Sequence, residues 1–169
     1  WSSTREGKEG LWLKSSSGVG EETLLITTQG QAIPTGWSHD GKHLLFSEFV
    51  GGRFFDISIV PLEGERTKRD LLKTEFWEYN ARFSPDGRWL AASLAGTNGV
   101  RIFKATHGEE TGRDAAYGDD SYSVHFSPDG RRLLTTSDDG QVRLYAVNDG
   151  KLGQPTSTSL DGGQRPYAA

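Results

Sequence analysis

Short apolar runs, too brief for helices and bounded by Gly, Asp, Ser or Pro, fill this chain from end to end. Leu44-Leu45-Phe46-Ser47, Trp89-Leu90-Ala91-Ala92-Ser93 and Leu133-Leu134-Thr135-Thr136 are of this kind, and Val100-Arg101-Ile102-Phe103 and Val142-Arg143-Leu144-Tyr145 alternate with a period of two. Such runs predict strands. Each of the first three follows one turn motif: Trp37-Ser38-His39-Asp40-Gly41, Phe83-Ser84-Pro85-Asp86-Gly87 and Phe126-Ser127-Pro128-Asp129-Gly130. Pro presets φ for the second turn position, Asp suits the third, and Gly takes the left-handed conformation that follows, so each motif predicts a hairpin between two strands.

The closing glycines Gly41, Gly87 and Gly130 recur about every 45 residues, the period of a four-stranded propeller blade. The fold class predicted is therefore all-β, a β-propeller segment of four-stranded antiparallel blades, about three and a half in number. Residues 1–29 predict the outer half of a blade, with Leu11-Trp12-Leu13-Lys14 and Glu22-Thr23-Leu24-Leu25-Ile26-Thr27 as its two strands. Three complete units follow at 30–74, 75–117 and 118–163, and residues 164–169, from Gln164 through Arg165 to Ala169, begin a further inner strand. An arc of this kind leaves apolar blade faces uncovered. It is completed by the rest of a larger propeller, by the chain end closing on the N-terminal half-blade, or by a second copy; of these, pairing of two copies is the expectation.

The segment from Trp37 to Ala105, with Asp56-Ile57-Ser58-Ile59-Val60-Pro61-Leu62 and Ala81-Arg82-Phe83-Ser84-Pro85-Asp86-Gly87-Arg88-Trp89-Leu90-Ala91, resembles TolB-type propeller repeats. From Ser121 onward, Val124-His125-Phe126-Ser127-Pro128-Asp129-Gly130 and Ser137-Asp138-Asp139-Gly140-Gln141-Val142-Arg143-Leu144-Tyr145 resemble a WD repeat. The resemblance implies a propeller in either case. It leaves function open between an interaction scaffold and the propeller portion of a larger enzyme, such as a bacterial serine/threonine kinase or a prolyl-oligopeptidase-type peptidase. In a WD repeat a Gly-His pair, a strand Ser or Thr, the turn Asp and a Trp bond to one another within the blade. Thr136, Asp139 and Tyr145 fall on three of those positions, while Gly118-Asp119-Asp120 stands where the Gly-His pair would be.

Composition narrows the classes of partner. Only 34% of residues are apolar and 22 are Gly, which suits short strands and tight turns, and a net charge of −4 argues against a nucleic-acid footprint. The densest basic run, Arg66, Lys68 and Arg69, is interleaved with Glu63, Glu65 and Asp70 and reads as a solvated loop. No apolar run is long enough to span a bilayer as a helix, so no membrane insertion is expected. Cysteine is absent, which excludes disulfides and Cys-based metal sites; methionine is absent too, position 1 included, and the chain reads as a processed or excised piece of open compartment.

Catalytic signatures are wanting. Gly36 to Lys42 has the glycine and lysine spacing of a phosphate loop, but His43 stands where Ser or Thr is needed and the stretch is a hairpin turn. None of the four histidines has a Cys partner, His107 with Glu109 and Glu110 reads as a solvated turn, and no strained serine elbow occurs. No catalytic, cofactor-binding or metal-ligating residue and no cofactor is assigned. What remains is surface recognition through loops entering each inner strand, Thr74 to Tyr79 and Tyr117 to Asp120. These single out Trp77, Tyr79 and Asp119 as candidate partner-binding residues, for a protein partner or a second copy of the chain.

Overall fold

The computed structural model describes residues 2–5, 7–51 and 54–159. Among the described residues sixteen strands fall in sequence order into four antiparallel sheets. The first holds β1 (Ser2–Arg5), β2 (Lys8–Leu13) and β3 (Thr23–Thr27); the second holds β4 (Ala32–Trp37), β5 (His43–Val50), β6 (Phe54–Pro61) and β7 (Arg69–Leu72). The third holds β8 (Glu78–Phe83), β9 (Trp89–Leu94), β10 (Val100–Lys104) and β11 (Glu110–Asp114). In the fourth, β12 (Ser121–Phe126), β13 (Arg132–Ser137) and β14 (Gln141–Asn148) are followed by β15 (Lys151–Leu152) and β16 (Thr156–Ser159), both paired with β14. The outermost strand is thus broken in two around Gly153-Gln154-Pro155, where proline cannot donate to a ladder. Among the described residues no helix is long and apolar enough to cross a membrane.

The first sheet departs from expectation. Two strands are predicted there and three are present, because Ser2–Arg5 pairs with Lys8–Leu11 across a turn whose Gly7 has φ +74°. Four polar residues carry no apolar signal for a strand. The further inner strand expected at 164–169 lies outside the described residues.

The repeated motif builds the same turn three times. Ser38 Oγ donates to Asp40 Oδ1 at 2.5 Å, and the Lys42 N–H donates to that oxygen at 3.0 Å. The corresponding distances are 2.6 and 3.1 Å at Ser84, Asp86 and Arg88, and 2.6 and 3.0 Å at Ser127, Asp129 and Arg131. Gly41, Gly87 and Gly130 close these turns at φ +68°, +70° and +69°. The Asp therefore caps donors that the hairpin leaves unpaired, a local task that requires no tertiary partner.

Packing between sheets follows the same register. The first residue of each apolar pair after the turn points back: Leu44 joins Leu11 and Leu25, Leu90 joins Leu45 and Ile57, and Leu133 joins Trp89 and Ala91. The second points forward, so Leu45 and Ala91 sit in the next interface. Sandwiched strands are apolar on both faces, which explains the continuous run of β9, buried along its whole length.

Candidate protein-binding face

Loops entering β8 and β12 lie at the same end of the strands as the β5–β6 hairpin, and this shared end gathers five aromatic rings. Phe49 at the end of β5 and Phe55 at the start of β6 are cross-strand partners with ring centroids 5.3 Å apart. Both meet Trp77, at 6.3 and 5.9 Å, and Trp77 meets Tyr79 at 5.8 Å. Tyr79 meets Tyr122 at 5.0 Å. The row thus runs from the second sheet across the third to the fourth. Trp77, held by a backbone bond from the Ala95 N–H to its carbonyl, is 37% exposed.

Two of the residues singled out from sequence, Trp77 and Tyr79, are therefore neighbours. Asp119 is exposed, and its Oδ1 accepts the Asp120 N–H at 2.8 Å. It is Asp120 that engages the row: its Oδ2 accepts the Tyr79 hydroxyl at 3.1 Å and the Tyr122 hydroxyl at 3.3 Å, while Oδ1 accepts the Gly96 N–H. Burial, reinforced by Asp120, Asp138 and Asp119, pushes the Tyr79 hydroxyl up to about 12. Sequence reasoning missed Phe49, Phe55, Tyr122 and Asp120. The signal for Tyr122 was present, since Tyr79 and Tyr122 each stand four places before the phenylalanine of the turn motif.

Glu78 opens β8 and is fully buried. Its Oε1 accepts the Thr74 N–H at 2.9 Å and the Thr74 hydroxyl at 2.6 Å, which ties down the loop carrying Trp77; the Ile57 N–H also faces this carboxyl, though among the described residues Oε2 has no hydrogen-bond partner at normal distance. Burial pushes this carboxyl up to about 7, against the two Thr74 bonds and with the like charge of Asp56 adding to the rise. Asp56 is itself buried and shifted upward, by desolvation first.

The fourth sheet holds its entering loop differently. Arg143, 8% exposed, donates through Nη2 to Asp139 Oδ2 at 2.6 Å and through Nη1 to Ser137 Oγ at 2.7 Å. Its Cζ lies 4.0 Å from the centre of the Tyr117 ring, and Asp139 Oδ2 also accepts the Gly118 N–H at 3.0 Å. Burial opposes ionisation of Asp139, but bonds from Arg143, Ser137 and the backbone hold its carboxyl far below the usual range. Tyr117 Oη lies 2.5 Å from Thr135 Oγ1 and 2.9 Å from Tyr145 Oη, which donates to Asp114 Oδ2 at 2.9 Å. This corrects the WD-type set expected from sequence. Thr135 takes part where Thr136 was expected, and the buried Thr136 Oγ1 has no partner among the described residues.

At the opposite end of the strands a cleft of about 330 Å3 is lined by the first two turn motifs, Ile59, Phe83, His43 and Arg69. Its polar groups serve the turns themselves: Asp40 and Asp86 cap theirs, and Arg69 Nη1 donates to the Thr106 carbonyl at 2.7 Å. The stretch from Gly36 to Lys42 with phosphate-loop spacing is the β4–β5 hairpin. Glu109, beside His107, is bonded by Lys104 at 2.7 Å in an exposed turn. Among the described residues no group of three or more His, Cys, Asp or Glu side chains is placed to hold a metal ion.

Residues 116–146 match the family model described as WD domain, G-beta repeat, a stretch that runs from the Tyr117 loop through most of β14. Coronin-7 of Rattus norvegicus and of Mus musculus are each 31% identical over 86 residues, 51% of this chain and 9% of theirs. A TolB structure from Agrobacterium tumefaciens superimposes with a TM-score of 0.70 at 22% identity, covering 94% of this chain and 60% of that one. TolB from Acinetobacter baumannii gives 0.64 at 22% identity, covering 85% and 36%. The chain spans less than a tenth of the coronin-7 length and a part of each solved structure.

Proposed function

From a partial β-propeller of the TolB and WD-repeat kind, we propose that the chain acts as a non-catalytic interaction module. A protein segment lies along the aromatic row from Phe49 to Tyr122, with Trp77, Tyr79 and Asp119 among its contacts. The observation that carries this reading is the row itself: five rings drawn from three sheets, with a tryptophan partly open to solvent at its centre. Aromatic side chains in such settings supply large contact area at small entropic cost and dominate binding hot spots. Selection of peptides from a random displayed library, against the native chain and Trp77→Ala, tests it. Peptides that depend on Trp77, with the thermal midpoint of the variant nearly unchanged, support the reading. A lowered midpoint with no Trp77-dependent peptide overturns it, and turnover by the chain in a hydrolase or nucleotidase screen overturns its non-catalytic part.

A second observation supports self-association. Leu134 and Leu144 are cross-strand partners on the forward face of the fourth sheet and are 39% and 38% exposed, whereas their equivalents by register, Leu45, Ile59, Ala91 and Ile102, are buried between sheets. A second copy covering this face makes a homodimer. Light scattering on the 18.5 kDa chain decides: a dimer dispersed by Leu134→Glu is expected, and a monodisperse monomer overturns it.

A further inference from the structure

The aromatic row ends in negative charge. Asp120 accepts both tyrosine hydroxyls, Asp119 is exposed beside it, and the Asp138 N–H donates to the Asp120 carbonyl at 2.8 Å. Desolvation, then a hydrogen bond with Asp138 and the charge of Asp120, pushes the Tyr122 hydroxyl upward as well. Among the described residues no lysine or arginine forms an ion pair with Asp119 or Asp120. The potential around these rings therefore favours a cation, and it disfavours a carboxylate or phosphate.

The chain itself pairs these parts with an arginine elsewhere. In the fourth sheet the Arg143 guanidinium lies against the Tyr117 ring and donates to Asp139 at the same time. Arg101 and Arg88 likewise stand 6.0 and 5.9 Å from the Phe76 and Trp89 ring centres. A planar guanidinium can stack on a ring and still present a fork of donors to a carboxylate; an ammonium cannot do both. Tyr79, Tyr122, Asp119 and Asp120 offer rings and carboxylates without an arginine among the described residues.

We propose that the segment held on this face is cationic, and that one of its arginines docks against Trp77, Tyr79 and Tyr122 with its guanidinium toward Asp119 and Asp120. This rests on the reading of the row as a binding face and adds the chemistry of the partner. It is an electrostatic preference superimposed on an aromatic platform, so affinity falls as salt screens the carboxylates.

Four peptides of one Gly/Ser backbone, carrying Arg, Lys, Gln or Glu at alternate positions, are titrated into the native chain while the Trp77 indole N–H is followed by NMR. The Arg peptide is expected to shift that signal at the lowest concentration, with Lys weaker, Gln weaker still and Glu without effect, and raising salt weakens the Arg peptide most. Asp119→Asn keeps the acceptor for the Asp120 N–H and is expected to weaken the Arg peptide about threefold to fivefold with no change in thermal midpoint. Equal binding of the Gln or Glu peptide, or an Asp119→Asn variant that binds Arg as the native chain does, overturns the proposal. If library peptides bind through Trp77 yet carry no basic residue, the binding face stands and its cationic preference falls. If no peptide of either kind reaches Trp77, both fall.

Discussion

The loops that enter β8 and β12 are each pinned by a buried ionisable side chain, but the two anchors are built on opposite principles. The loop before β12 is held by Arg143 and Asp139, a pair whose charges compensate and whose donors and acceptors are largely bonded within the blade. The loop before β8 is held by Glu78, which has two bonds from Thr74, the Ile57 N–H and a second acid, Asp56, nearby and, among the described residues, no cation bonded to it. The first anchor is a charged lock and the second is a neutral one, because burial without a counter-charge favours the protonated acid. Their responses to pH differ accordingly. Asp139 is depressed in the fold, so its contribution is present above its unfolded pKa and is lost only as pH falls through its folded value, deep in acid. Glu78 is raised to about 7, so its contribution is full below the ordinary carboxylate range and is lost as pH rises through 7. The loop with the conditional anchor is the one that carries Trp77.

Breaking the charged lock has the largest expected effect. Arg143→Met leaves the half-buried Asp139 beside Ser137 without its cation, and such half-removed pairs cost up to about 3 to 5 kcal/mol. Urea denaturation at pH 7 measures this, and a loss under about 1 kcal/mol means the pair behaves as a surface bridge. Next in size is Glu78→Gln, which keeps an acceptor for Thr74 and removes the titration. Relative to the native chain it is expected to be unchanged at pH 4 and more stable by about 3 kcal/mol at pH 8, the order of magnitude that follows from a rise from 4.5 to about 7. Parallel stability curves for the two proteins from pH 4 to 8 would remove Glu78 as the source of pH sensitivity. The smallest effect separates neighbours in the fourth sheet. Thr135→Val, which loses the 2.5 Å contact with the Tyr117 hydroxyl, is expected to cost about 1 kcal/mol, and Thr136→Val, whose hydroxyl has no partner, nothing measurable. The reverse order by thermal denaturation would restore Thr136 to the network.

The all-β class and the stacking of sheets were legible because their causes are local and repeated. A Ser, an Asp and a Gly within four residues carry all the groups that close the hairpin, so the motif fixes its own conformation wherever it occurs. The apolar pair that follows sets which face looks back and which forward. The added strand Ser2–Arg5 was not legible, since its polar residues carry no apolar pattern that marks a strand.

The candidate site was legible only in part. Loop position pointed to Trp77 and Tyr79, and repeat register could have pointed to Tyr122. The adjacent aspartates Asp119 and Asp120 are equivalent by composition and differ only in which one the chain turns toward the tyrosines.

By itself, then, the sequence determined what neighbouring residues settle among themselves: the turns, the strand faces and the order of the sheets. Tertiary structure alone decided what depends on groups dozens of residues apart. It brought five rings into one row, chose Asp120 over Asp119 and Thr135 over Thr136, and buried Glu78 with Asp56 nearby and, among the described residues, no cation bonded to it. The physical reason is that hydrogen-bond partners within a turn are supplied by chain connectivity, whereas burial and charge environment are supplied by whichever sheet packs alongside.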